Sequence, residues 1–483
     1  MSSDEEEQRD NEQVRVRFRL SADCQNESLE VPDTEMALPS NLGRKGLSTV
    51  VNHLLDRRLP NEEEENDDDD DERPEALPFD FLVGESNTHR LLRTSLEREA
   101  RQNGLSLEDA LVVTYFPAQP APQTQGSPPP MLPDWVSELS YCDKGLTVAS
   151  YDGSLRRYMV GPGGDLSAVQ VASHAHTGPI HCLTSFKHTL DTTWTISGAM
   201  NHSLAVHTWS PSQGASCVAR ALHDAAVVSL DERITTDDMM FATGDWDGGV
   251  TVWSIQSAED GHDEHDETKT KKRKTSYQDN QEDASMTQKY ALTNKISLQA
   301  HQTKVSGVCW GNHAKRNGFK DFNLITGSWD HSIKVWDMER QDCLLTLNCG
   351  KVVTSMDTSY FTPGIVATAR PDCLVRLWDV RIDQTTTSNS LVSDSMLRPS
   401  HRAWVSQVKW SSRNPYQLFS ASHDGSVKVW DIRAAFPLHT VRVVPKDEKV
   451  LSIALASMEE DAILFAGGTD CEVKQYILDG KDE

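Results

Sequence analysis

Apolar and charged positions alternate without a break in Val14-Arg15-Val16-Arg17-Phe18-Arg19, the period of a strand with one face in a core. Ser28 to Val31 reads as its hairpin partner, stopped by Pro32. Past Gly46 the period changes. Leu47, Val50, Val51, Leu54 and Leu55 recur at helical spacing. Phe79 to Val83 and Leu91-Leu92 predict two further strands, Ser95 to Gln102 a short helix, and Ala110 to Phe116 a last strand. Strand, strand, helix, strand, strand is the order of an α+β ubiquitin-like β-grasp domain, placed over residues 13–116.

Beyond Trp135 a different pattern takes over, one phrase repeated seven times. Its clearest copies run from Gly327 to Asp337 (Gly-Ser-Trp-Asp-His-Ser-Ile-Lys-Val-Trp-Asp) and from Ser420 to Asp431, and weaker ones end at Tyr158, Trp209, Trp253, Trp378 and Tyr476. Short alternating strands around a turn acid, repeating in this way, predict an all-β seven-bladed propeller of the WD-repeat type. The turn residues are Asp152, Asn201, Asp247, Asp330, Asp372, Asp424 and Asp470, spaced 49, 46, 83, 42, 52 and 46 residues apart. The long interval predicts an insertion at 255–294, between blades three and four. Little chain follows Ile477, so residues upstream of Trp135 are expected to complete the seventh blade and remove an exposed edge.

Resemblance to WD-repeat proteins implies a structural set in each strong copy. Those sets are His301, Thr326 (or Ser328), Asp330 and Trp336 in the fourth, and His401, Ser420, Asp424 and Trp430 in the sixth. A His–Asp–Ser combination imitates a hydrolase triad, but its recurrence blade by blade points to structure. Neither a Walker-type phosphate loop nor a nucleophile elbow is present, so no catalysis is expected.

Charge and cysteine usage refine the picture. The net charge is −26, and ten carboxylates fall between Glu62 and Glu72. That block predicts a solvated acidic loop, 61–73, inside the β-grasp domain, and the overall balance argues against broad nucleic-acid binding. Nine scattered cysteines without a CxxC pair read as reduced thiols. With an acidic 1–12 tail and no apolar run of membrane-spanning length, a cytosolic or nuclear protein is expected, with no membrane and no small-molecule substrate. Residues 117–133, rich in Pro and Gln, form the linker and closing strand, and the propeller occupies 134–480. Lys269 and the run Lys271, Lys272, Arg273, Lys274 suit a nuclear-import signal.

Several local phrases carry a family likeness: Val31-Pro32-Asp33-Thr34, Gly46-Leu47-Ser48, Val51-Asn52-His53-Leu54-Leu55, Pro78-Phe79-Asp80-Phe81-Leu82, Leu91 to Leu96 and Asp134-Trp135-Val136-Ser137. Together with the propeller and its basic insertion, they resemble the WD-repeat subunits of the PeBoW complex, factors of large ribosomal subunit maturation. The resemblance implies a non-catalytic adaptor of nucleolus and nucleoplasm. Its propeller would bind the block-of-proliferation protein, which holds pescadillo. Its ubiquitin-like domain would bind the adhesion site of midasin, an AAA ATPase that releases the complex from pre-60S particles. The family's acidic ligand, which completes a Mg²⁺ shell held by midasin, falls at Glu108 in the loop Gly104 to Ala110, beside Asp109. The chain would need no cofactor of its own. Asn201, Arg370-Pro371-Asp372 and the acidic insertion depart from the family pattern. A notchless-type midasin adaptor, with an additional blade, and a WD-repeat substrate receptor of a ubiquitin ligase are the competing readings.

Overall fold

A computed structural model of the chain describes residues 13–22, 24, 27–57, 74–84, 90–92, 94–102, 104–124, 131–161, 165–189, 191–211, 214–234, 239–257, 290–311, 323–380, 401–434, 436–457 and 462–478. The chain divides into two compact units: Met1–Ala121 with Arg433–Ala435, and Pro122–Ile432 with Phe436–Glu483.

The first unit is a β-grasp. Its strands are β1 (Gln13–Leu20), β2 (Glu35–Pro39), β3 (Phe79–Val83), β4 (Arg90–Leu91) and β5 (Leu111–Pro117), in the sheet order β2-β1-β5-β3-β4. The central β1–β5 pair is parallel, with Val16 opposite Leu111 and Leu20 opposite Tyr115, and the other pairs are antiparallel. Alternation in β1 sends Val14, Val16 and Phe18 into the core and leaves Arg15, Arg17 and Arg19 exposed. The helix Arg44–Leu54 lays Leu47 and Val51, one turn apart, against Phe79, Phe81 and Tyr115. Two of its polar side chains fix the next segment. Asn52 donates to the Ser48 and Leu77 carbonyls at 2.8 and 2.7 Å and accepts from the Leu77 amide at 2.9 Å. Ser48 accepts from the Phe79 amide at 3.1 Å.

One sequence expectation fails here. The hairpin partner of β1 is β2, Glu35–Pro39, whereas Glu27–Leu29 forms a 3₁₀ turn and Val31 lies in a loop. Leu29 and Val31 are buried as plugs rather than as strand residues. The Tyr115 hydroxyl holds them there, accepting from the Val31 amide at 2.9 Å and donating to the Leu29 carbonyl at 2.7 Å. Pro32, which has no amide to give a ladder, follows directly.

The second unit is a propeller of seven sheets over residues 136–172, 180–222, 227–299, 305–348, 355–379, 405–442 and 450–477. Six sheets have four strands, and the fifth has three among the described residues. The fourth strand of blade seven is β6 (Gln123–Thr124), paired with Val473–Ile477 through Tyr476–Thr124 and Ile477–Gln123. The N-terminal edge of the unit thus joins the last blade, and the ring closes non-covalently. Apolar side chains of neighbouring blades interleave to form the cores between them, as where Leu377 and Val375 meet Trp410, Leu418 and Trp430.

The innermost strands share a device that period-2 reading does not show. In six blades a β-bulge follows their first residue, as between Val305 and Gly307 or Val405 and Gln407. A bulge re-aims one side chain. Here the re-aimed Ser306 and Ser406 donate to the Val353 and Val450 carbonyls of the next blade, at 2.5 and 2.8 Å. Ser229 and Thr354 make the corresponding bonds to Val305 and Val405. Blades three to seven are therefore stitched in series around the axis.

The insertion also sits differently from the expectation. Gly249–Ser257 and Tyr290–Gln299 are the third and fourth strands of blade three, with Ile255 opposite Leu292 and Trp253 opposite Asn294. Residues 255–257 and 290–294 are thus strand, and the inserted segment leaves blade three's outer hairpin rather than joining blades three and four. An outermost strand has one ladder neighbour and alternates only weakly, here between half-buried and exposed, so its hydrophobic signal is faint.

Candidate functional site

Glu108 stands in the loop between the helix Leu96–Gln102 and β5. Gly104, at φ +69°, turns the chain out of that helix in a conformation few other residues adopt readily. Leu105 and Leu107 then anchor the loop against the β-grasp core. Ser106 accepts the Glu108 amide at 3.2 Å, and the Arg15 guanidinium donates to the Glu108 carbonyl. Main chain is held on both sides of the residue while its side chain is exposed, and no described residue pairs with the carboxylate. Asp109 is exposed beside it. Among the described residues, Arg15 alone of the exposed β1 row Arg15, Arg17 and Arg19 is bonded to this loop, while Arg17 is bound to Glu35 at 2.8 Å. The position of Arg15 was legible in the alternation of β1, which in the sequence marks only the strand.

The His–Asp–Thr/Ser–Trp sets assemble as relays. His301 Nδ1 lies 2.9 Å from Asp330, His301 Nε2 lies 2.7 Å from the Thr326 hydroxyl, and Trp336 donates to that hydroxyl oxygen at 2.9 Å. The network assigns a neutral His301 donating to Asp330 and accepting from Thr326. Burial pushes the His301 pKa down against the opposing pull of Asp330. His401, Asp424, Ser420 and Trp430 repeat the arrangement at 3.1, 2.8 and 2.8 Å. Thr326 and Ser420 are wholly buried, with an indole N–H on each oxygen, so no substrate reaches them.

Other blades vary the theme. His223 reaches Thr243, but its carboxylate is Asp245 at 3.8 Å. Asp245, rather than the expected Asp247, also accepts the turn amides of Asp247 and Gly249. A Cβ on Gly249 would meet Asp245 at 2.3 Å, so glycine there makes room for the shifted carboxylate. Asn201 accepts from Ser203 at 2.6 Å in blade two. In blade five Cys349 stands at the histidine's place, its amide on the His331 carbonyl as the His301 amide is on Gly248, and the buried Arg370 pairs with Asp372 at 3.1 Å.

At the centre, the inner strands line a cavity of about 320 Å³. Gln407 donates to Glu138 at 2.6 Å there. Burial, opposed by Lys409 and Gln407, raises the Glu138 pKa to about 7. Burial alone would lower the Lys409 pKa, but Asp357 and Glu138 outweigh it and hold the ammonium charged.

Aromatic side chains collar one mouth of this channel. Trp329, Trp404, Tyr151 and His423 line it. Trp135, Trp246 and Trp404 are 46, 43 and 49 % exposed, well above what a buried role would leave. Lys304 sits 4.7 Å from the Trp246 ring and 5.0 Å from the Trp329 ring, a cation–π clamp that fixes both indoles. Exposed, pre-positioned indoles beside a cation are the composition of an interface hot spot. Sequence reading missed this collar, although Tyr151, Trp246, Trp329 and His423 each directly precede a turn residue and so share one register.

Lys269, Lys271, Lys272, Arg273 and Lys274 lie outside the described residues, as do Arg93, the acidic block 61–73 and the tail 1–12. Among the described residues no three His, Cys, Asp or Glu side chains converge to hold a metal ion.

A ubiquitin-like unit carrying an exposed carboxylate loop, joined to a seven-bladed propeller with an aromatic collar, defines a WD-repeat protein with an N-terminal β-grasp unit. The NLE (NUC135) domain model matches residues 14–98, and the WD domain, G-beta repeat model matches 216–254, 292–337 and 395–431. The chain is 31 % identical to a ribosome biogenesis protein WDR12 homolog of Chlamydomonas reinhardtii over 482 residues, covering 93 % of this chain and 95 % of the relative. Proteins of the same name from Arabidopsis thaliana and Nematostella vectensis are 28 and 27 % identical, over 92 and 97 % of this chain and 93 and 100 % of theirs. The chain belongs to the WDR12 family of ribosome biogenesis proteins.

Proposed function

We propose that within ribosome biogenesis this chain is a non-catalytic adaptor of the nucleolus and nucleoplasm, working at two docking surfaces. The propeller binds the block-of-proliferation protein, and through it pescadillo, using the aromatic collar. The ubiquitin-like unit offers Glu108 to the midasin adhesion site, so that midasin's ATP-driven motion releases the complex from pre-60S particles. The observation that carries this reading is an exposed carboxylate, free of described partners, on a loop fastened by Ser106 and Arg15. Mg²⁺ prefers oxygen ligands and accepts an incoming carboxylate at an open octahedral position. A loop already ordered loses little entropy on engaging it. Residues Lys271 to Lys274 serve nuclear import in this reading.

Seven propeller sheets and full-length relatives of the WDR12 family favour this adaptor over the notchless type. The test is sedimentation of pre-60S particles from cells carrying Glu108→Ala as their sole copy. The variant should enter its complex and accumulate on pre-60S particles several-fold over wild type. Normal release would sink the Glu108 role, and copurification with a ligase scaffold instead of pre-ribosomes would favour the substrate-receptor reading.

A further inference from the structure

Blade six carries a cationic pocket that the adaptor reading does not use. Arg402, Asp424, Ser426, Lys428, Thr440 and Arg442 line a cavity of about 290 Å³. Three cations thus face one carboxylate. That carboxylate is already committed, since Asp424 accepts from His401, from the Arg402 amide at 2.8 Å and from Ser426 at 2.6 Å. Lys428 is 7 % exposed and donates to the Thr440 hydroxyl at 2.8 Å, which leaves two of its N–H groups and the Thr440 hydrogen for a ligand. Arg442 is tied by one nitrogen to the Asp424 carbonyl at 3.0 Å, and its remaining donors are uncommitted among the described residues.

Blade four shows what this slot looks like without the charge. There Lys334 stands opposite Thr346 and Ser332 opposite Asn348, as Lys428 stands opposite Thr440 and Ser426 opposite Arg442. Gln302 follows His301 where Arg402 follows His401. Lys334 spends its ammonium on the Ala300 carbonyl at 2.7 Å. The same backbone frame therefore carries two arginines in blade six that it lacks in blade four, around a lysine whose described acceptor is a hydroxyl.

We propose that the blade-six pocket binds a phosphorylated serine or threonine side chain. A phosphate monoester near neutral pH approaches two negative charges and offers three acceptor oxygens, matching the surplus of two cations and the convergent donors. An RNA phosphodiester has one charge and two free oxygens, which suits the pocket less well. Cationic clusters of this kind are a recurring means of reading phosphorylated segments.

The test is ³¹P NMR titration of the full-length protein with N-acetyl-phosphothreonine amide, inorganic phosphate and a single-stranded RNA oligonucleotide at fixed ionic strength. Phosphothreonine should bind saturably and at least tenfold more tightly than inorganic phosphate. Arg402→Gln and Arg442→Gln, both at exposed positions, should each weaken it at least fivefold with the thermal unfolding midpoint unchanged. Affinity should rise between pH 5.5 and 7.5 as the second phosphate proton, with a pKa of about 6, leaves. Lys428→Met should also abolish binding, but the arginine variants decide the matter should that buried change impair folding. Absence of saturable binding, or binding indifferent to both arginine variants, would overturn the site. Inorganic phosphate binding as tightly as phosphothreonine would overturn the side-chain assignment in favour of free phosphate. RNA binding as tightly, with the same loss in the variants, would overturn it in favour of a nucleic-acid contact.

Discussion

At the scale of single residues, polar side chains in this protein hold main chain more than they hold one another. Tyr115, Asn52 and Ser48 in the ubiquitin-like unit, and Ser306 and Ser406 in the propeller, all end on backbone amides or carbonyls. Tyr115 gives the sharpest test. Its hydroxyl satisfies a buried amide and a buried carbonyl at once, and burial, ahead of the Val31 hydrogen bond, keeps that hydroxyl protonated. Tyr115→Phe leaves both groups unpaired, which costs about 1–3 kcal/mol. Urea denaturation of the ubiquitin-like transition should show that loss with an unchanged slope. A variant as stable as wild type would mean that the loop 29–31 is held by apolar burial alone. Glu108 follows the same logic in reverse: its amide and carbonyl are held, and its side chain is exposed with no described partner.

At the scale of elements, each blade hides titratable groups in its strands and loops. Burial, aided by neighbouring cations, lowers His176 to about 3 and both His181 and His207 to about 4. In the unfolded chain these histidines titrate near their ordinary value of about 6.5. The unfolded state therefore binds the extra protons first, and stability that is full above about pH 6.5 is lost as pH falls toward 4. Glu138, raised to about 7, acts with the opposite sign, since its contribution fades as pH rises through the range from its ordinary value to about 7. Three histidines outweigh one acid. The propeller's unfolding temperature should hold near its pH 7.5 value down to about pH 6.5 and fall from there to pH 5, and a profile flat or rising below pH 6.5 would contradict buried neutral histidines. Strands buried on both faces and the turn acids of blades four and six were legible in the sequence, because burial and turn chemistry both leave periodic marks. The two-residue strand Gln123–Thr124 is too short to show a period, and Tyr290–Gln299 too exposed to show a strong one. Leu29 and Val31 misled for the converse reason, being buried apolar residues outside any strand. The aromatic collar was hidden because its exposed side chains leave no periodic mark of burial.

At the scale of the whole molecule, the two units carry different kinds of surface on one chain: a single fastened carboxylate loop on the first, and an indole collar on the second. Family membership sets this pair within ribosome biogenesis. In the proposed adaptor a ligand offered in trans would demand little of its own fold beyond position, and the Glu108 loop is positioned by Gly104, Leu105, Ser106 and Arg15. The most direct measurement is titration calorimetry of the full-length chain against the midasin adhesion-site domain with Mg²⁺, run beside Glu108→Ala and an EDTA control. The adaptor account predicts binding that disappears in both controls while the variant's unfolding curve stays that of wild type. Binding that persists without metal and without the Glu108 carboxylate would contradict it.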